Sequence, residues 1–219
     1  AGPEIGVAST KAFSTQLATL YLIAVKLARL RGRLSVAEAQ DHLTHLVEVP
    51  KHLEEALHVE PAVKRVARAY QGAQDFLFLG RGPMFPVALE GALKLKEISY
   101  IHAEGYAGGE MKHGPIALID ERLPVVVLAP REPEVAREKM LGNVEEVRAR
   151  GGKVIAVVDD GDHGLDGLAD EVIRIPPTRA LLAPLVATVP LQLLAYHVAD
   201  LRGNDVDQPR NLAKSVTVE

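Results

Sequence analysis

Apolar positions recur at intervals of three and four in the N-terminal third of the chain and then give way to short unbroken runs separated by helical stretches. Phe13, Leu17, Leu20, Ala24, Leu27 and Leu30 form one stripe, which predicts a helix from about 11 to 31 with Ser9 or Thr10 as N-cap and Gly32 as its stop. Ser35 and Glu38 make an S-x-x-E capping box, so a second helix is expected from there to about Val49, where Pro50 breaks it. Shorter helical pieces are expected at 51–58 and 61–71.

From about 75 onward strands and helices alternate. Phe76 to Leu79, Pro124 to Ala129, Lys153 to Val158 and Glu171 to Ile175 read as strands, and helices are expected at about 84–100, 133–150 and 181–202. Continuous Val/Ile/Leu runs separated by helices predict a parallel sheet covered on both faces, a doubly wound α/β fold preceded by a helical segment. Ligands of such sheets bind beyond the carboxyl ends of the strands, near the switch in strand order, which marks Gly80 to Pro83 and the loop after Ala129 as a candidate rim. The stretch IHAEGYAGGEMKHGPIALID, residues 101–120, has little periodicity and reads as a functional loop.

Composition narrows the partners. A net charge of -4 and a pI near 6.1 supply no basic field to hold nucleic acid or an anionic membrane, so neither is expected. No uninterrupted apolar run reaches the roughly 18 residues of a membrane span. The 181–202 helix comes nearest, and Pro184, Pro190, Gln192 and His197 interrupt it. Cysteine is absent, which excludes disulfides, thiolate metal sites and a cysteine nucleophile. The opening residues AGPEIGVASTKAF lack an initiator methionine and a signal peptide, and are read as a cut end inside a larger, cytoplasmic protein.

Chemistry concentrates at few positions. In the last thirteen residues, DQPRNLAKSVTVE, apolar side chains around Lys214 suggest a tail packed onto the body. A desolvated lysine has a lowered pKa and attacks carbonyl carbon to form a Schiff base, whereas a solvated surface lysine is the plainer reading. Glu90, Lys94 and Glu97 lie on one stripe of the 84–100 helix, either as an exposed ion pair or with Glu97 as a general base and Lys94 as its charge partner. His113 sits in a KHGP turn, where a surface role competes with a catalytic one. No metal is expected: His42 and His45 are three apart without a carboxylate or thiolate to complete a site, and DDGDHG at 159–164 lacks the spacing of a calcium loop and reads as a strand-to-helix turn. Gly80 and Gly82 alone do not make a dinucleotide fingerprint, and no cofactor is expected.

Together, EIGVASTKAF at 4–13, FLGRG at 78–82, ALEGALKLKEISYIHAE at 88–104, GEMKHGPIALID at 109–120, EEVRARGG at 145–152, TVPLQLLAYHVA at 188–199 and the tail GNDVDQPRNLAKSVTVE carry a family resemblance. The chain resembles the isomerase part of glucosamine-6-phosphate synthases, the glutamine:fructose-6-phosphate aminotransferases. That part consists of two flavodoxin-like sugar isomerase (SIS) subdomains. The resemblance divides the chain into 1–72, the end of the first SIS subdomain with connecting helices; 73–202, the second; and 203–219, the tail. It implies that Lys214 forms the imine with carbon 2 of open-chain fructose 6-phosphate, that Glu97 moves a proton between carbons 1 and 2, and that Lys94 sits beside it. It further implies that His113 assists ring opening across a homodimer interface and that Val7 and Ser9 line the sugar pocket. The implied partners are a phosphosugar, a second copy of the chain and a glutaminase domain. The family's phosphate-binding loop and glutaminase domain would lie before residue 1, so the segment alone is expected to be inactive. The alternative is an SIS module that binds phosphosugar or dimerises without chemistry.

Overall fold

The computed structural model describes residues 1–213. Five strands run parallel at its centre: β1 (Asp75–Gly80), β2 (His102–Ala107), β3 (Pro124–Leu128), β4 (Lys153–Asp159) and β5 (Glu171–Ile175). Their order is β2-β1-β3-β4-β5, the doubly wound arrangement with its switch between β1 and β3. The helices are α1 (Lys11–Leu30), α2 (Val36–Ala56), α3 (Glu60–Tyr70), α4 (Met84–Ser99), α5 (Glu134–Arg148) and α6 (Ala183–Leu201).

The period of two along each strand splits the core in two. Phe76, Phe78, Val126 and Leu128 face a core shared with α3, α4 and α6, while Leu77, Leu79, Val125 and Val127 face a second core closed by α5. Both faces are dry, which is why these strands read as unbroken apolar runs. Among the described residues α6 alone has the length and hydropathy of a membrane span; its apolar surface goes into the first core, with Val186, Leu191, Leu194 and Val198 almost wholly buried. Gly91 permits that packing, because a Cβ there would fall 2.6 Å from the Leu191 side chain and 3.1 Å from Phe78.

Several expectations are corrected. Pro50 does not break α2, which continues to Ala56 and absorbs the separate 51–58 helix, with a 3₁₀ turn at Leu57–Val59. Pro50 forfeits one backbone bond. Val49, buried against Leu182 and Leu185, and Leu46 and Leu53 on either side of the proline hold the helix together. The Ser35–Glu38 capping box forms as expected, whereas Thr10 stands at the α1 N-cap without a side-chain capping bond. The 101–120 stretch contains β2 and two 3₁₀ turns rather than loop throughout. Only Ala103 of β2 is fully buried, so this edge strand carries no apolar run. DDGDHG leads from β4 through turns into β5 with no intervening α-helix, and Asp162 is held by Arg137 in a bidentate pair at 2.6 Å.

Candidate active site

In a parallel α/β unit each helix runs back against the strand before it. α4 starts beyond the carboxyl end of β1 and ends where β2 begins, so its last turns lie at the amino edge of the sheet. There Lys94 is 3 % exposed, with its ammonium 2.5 Å from Glu97 Oε2 and 3.5 Å from Glu90 Oε1. The stripe expected from the spacing therefore forms, as a buried lysine between two partly buried carboxylates rather than an exposed pair. Burial is the larger influence on Glu90 and pushes its pKa up, against the pull of Lys94; the nearby Glu97 adds to the rise. A cation held between two carboxylates orients both, leaving the half-buried Glu97 as the one nearer solvent.

Lys94 reaches a cleft of about 290 Å³ whose other walls are Ile98 of α4, Gln192 and Tyr196 of α6, the N-terminal segment, and Val206 and Asp207, while Glu90 and Glu97 do not line it. The N-terminal segment is fastened there by the Val7 N–H, which donates to the Asp207 carbonyl at 2.8 Å. Gly6, Ala8 and Thr10 line the cleft, whereas Val7 and Ser9 are half-buried beside it and do not. The buried Gln192 Nε2 has no hydrogen-bond partner among the described residues. In the sequence Gln192 is only a polar interruption of α6.

After α6 the chain crosses the end of α4. Asn204 Nδ2 donates to the Ile98 carbonyl at 3.0 Å, the Arg210 N–H donates to the Tyr100 hydroxyl at 2.8 Å, and the Arg210 guanidinium lies 4.2 Å from the centre of the Tyr100 ring. These contacts fasten the chain as far as Arg210, whereas Asn211, Leu212 and Ala213 are exposed. Lys214 lies outside the described residues.

His113 is not brought to the triad. It is exposed on a 3₁₀ turn with Glu110 2.8 Å from Nδ1, and Met111 at the start of the same turn is buried in the core on the α5 face, across the sheet from α4. The expected rim at Gly80 to Pro83 is closed: Arg81 Nε donates to Asn143 Oδ1 at 3.0 Å, and the space among Arg81, Pro130, Glu132 and Arg137 is about 10 Å³. A larger hollow of about 730 Å³ lies where β1, β2 and β4 begin, lined by Asp75, His102, Glu104, Asp120, Arg122 and Lys153. Its ion pairs are largely solvated, so it offers no buried charge comparable to Lys94. No group of three or more His, Cys, Asp or Glu suited to a metal occurs among the described residues.

The SIS domain model matches residues 70–201, more than half of the chain. The chain belongs to the SIS domain family. This SIS protein is 61% identical over 219 residues to a Thermus thermophilus glutamine–fructose-6-phosphate aminotransferase (isomerizing), and 56% identical over 222 residues to that of Zymomonas mobilis. All of the chain is covered in both comparisons, and it spans 36% of the length of either relative. Among solved structures it is similar to the C-terminal domain of glucosamine-fructose-6-phosphate aminotransferase from Francisella tularensis, with a TM-score of 0.88 and 42% identity over 95% of this chain and 58% of that one. A glucosamine-6-phosphate deaminase from Thermotoga maritima is similar at TM-score 0.68 and 26% identity, over 97% of this chain and 58% of that one.

Proposed function

We propose that this SIS chain is the isomerase part of a glutamine–fructose-6-phosphate aminotransferase, making glucosamine 6-phosphate from fructose 6-phosphate and ammonia. The observation that carries this reading is the buried Lys94, paired with Glu90 and Glu97 and lining a cleft beside the segment that leads to Lys214. In this reading residues 1–72 close a first SIS subdomain, 73–202 form the second, and 203–219 bring the nucleophile.

The Lys214 amine adds to C2 of the open-chain ketose and water leaves, giving an imine. Ammonia displaces the lysine, and Glu97 takes a proton from C1 and returns it to C2, which leaves an aldehyde at C1 and an amine at C2. Lys94 steadies Glu97 through this shuttle. His113, on the far side of the sheet from the triad, serves the site of a second copy, so the active unit is a homodimer. Ammonia comes from glutamine through a glutaminase domain in the complete enzyme. The relatives' names, and identity to them that runs through the whole chain, support these assignments.

Borohydride reduction of the complete enzyme with fructose 6-phosphate tests the reading. Mass mapping is expected to find the sugar adduct on Lys214. Labelling spread over surface lysines would count against it, and Lys214→Ala is expected to abolish synthesis while glutamine hydrolysis persists.

A further inference from the structure

Glu90, Lys94 and Glu97 leave one helix, so their order along α4 is fixed: Glu90 lies a turn behind Lys94 and Glu97 a little less than a turn ahead of it. The Lys94 ammonium stands between the two carboxylates, 2.5 Å from Glu97 Oε2 and 3.5 Å from Glu90 Oε1. They differ in access to solvent. The Glu90 side chain is 11% exposed against 21% for Glu97, and Glu90 Oε1 is buried, makes no hydrogen bond among the described residues and meets Lys94 at ion-pair distance.

A proton shuttle through Glu97 needs one carboxylate, and Glu90 takes no direct part in it. Desolvating a second carboxylate beside the first is costly, and the position asks what offsets that cost. Burial pushes the Glu90 pKa above its ordinary 4.5, Lys94 pulls it back, and the Glu97 charge adds to the rise. That last contribution disappears whenever Glu97 is protonated.

The charges can be counted through the step. One cation and two anions leave one net negative charge on the three groups while both carboxylates are ionised. Glu97 then takes the proton from C1, the C1–H electron pair forms the double bond to C2, and the imine electrons move onto nitrogen. One cation and one anion remain, and the anion is Glu90. Without Glu90 the same step would leave Lys94 as a buried cation lacking a counterion, which is strongly disfavoured.

We propose that Glu90 is a positioning residue whose carboxylate holds the buried Lys94 and takes over as its counterion when Glu97 accepts the C1 proton; this rests on the reading of Glu97 as the base. Glu90 touches no reacting atom. It acts through Lys94, in the interval during which Glu97 is neutral.

Glu90→Gln keeps the shape of the side chain and removes its charge. In the complete enzyme with fructose 6-phosphate and glutamine, kcat is expected to fall by about tenfold to a hundredfold with KM nearly unchanged, a loss within the roughly 10² to 10⁴ that a positioned base contributes. With C1-deuterated fructose 6-phosphate, the isotope effect on kcat is expected to be at least as large as in the wild type, because proton transfer has become slower. The thermal midpoint is expected to stay level or rise, since Lys94 keeps Glu97 as its partner and one buried charge is gone. A wild-type kcat, a loss carried by KM, a smaller isotope effect, or a midpoint that falls along with kcat would each overturn the proposal. Synthesis that persists in Glu97→Gln would instead overturn the base reading on which it rests.

Discussion

Lys94 shows how three residues at helical spacing acquire different properties once folded. Its neighbours on α4 are carboxylates on either side, and burial separates them: Glu90 is pushed toward its neutral form, while Glu97 keeps solvent access. His197 makes a second, independent case. It is 5 % exposed on α6, with Glu60 of α3 3.2 Å from its Nε2 and Lys64 ion-paired to the same Glu60. Burial lowers its pKa, Lys64 lowers it further, and Glu60 and Asp200 oppose the shift. The folded state thus resists a proton that the unfolded chain accepts below its ordinary value of 6.5. Stability is expected to be full above that value, to fall as pH drops from there toward the depressed folded value, and to level off below it. Urea midpoints of the wild type and His197→Gln between about pH 7.5 and pH 5.5 check this: the wild type should lose the more stability on acidification, and parallel slopes would refute it.

At the scale of elements, local signals are read correctly where one interaction dominates and wrongly where packing overrides them. Ser35 and Glu38 cap α2 as their spacing demands. Pro50 carries an equally plain local signal, yet the helix runs through it because apolar side chains on both sides reach one cluster. Pro50→Ala restores the missing N–H and removes the ring from the Leu46 carbonyl, so the urea midpoint is expected to rise, by about 1–3 kcal/mol in stability. An unchanged or lower midpoint would show that the helix has fully adapted to the proline. β2 is the converse case. HAEGYA lacks an apolar run because an edge strand is buried along one side only, and nothing local distinguishes it from loop. α1 displays a third outcome: the stripe is helical as expected, but Leu20, Leu27 and Leu30 are 60%, 47% and 73% exposed. The period specifies the helix without saying what covers it.

Across the whole molecule, placement of the site depends on contacts between segments distant in sequence. Gly105 on β2 shows the tolerance: a Cβ there would lie 2.7 Å from the Leu89 nitrogen and 2.8 Å from the Ala88 carbonyl carbon. Gly105→Ala must push α4 off the sheet, with an expected loss of about 1–3 kcal/mol by urea unfolding and a drop in trapping at Lys214. Gly142→Ala, on α5 with nothing within 4 Å of its Cβ, is the matched control and should be neutral or slightly stabilising. Equal effects at the two glycines would refute this account. The strands of the core, the parallel doubly wound class and the Glu90–Lys94–Glu97 stripe were all legible in the chain, because burial on two faces and a helical period impose composition residue by residue. The carboxyl-edge rim is closed and does not hold the cleft, and His113 stands apart from the triad although only sixteen positions separate it from Glu97. The burial of Lys94, the closure of that rim and the meeting of Tyr100 with Arg210 arise from side chains filling space between segments far apart in sequence. Their physical reason is close packing in three dimensions, which leaves no periodic trace along one.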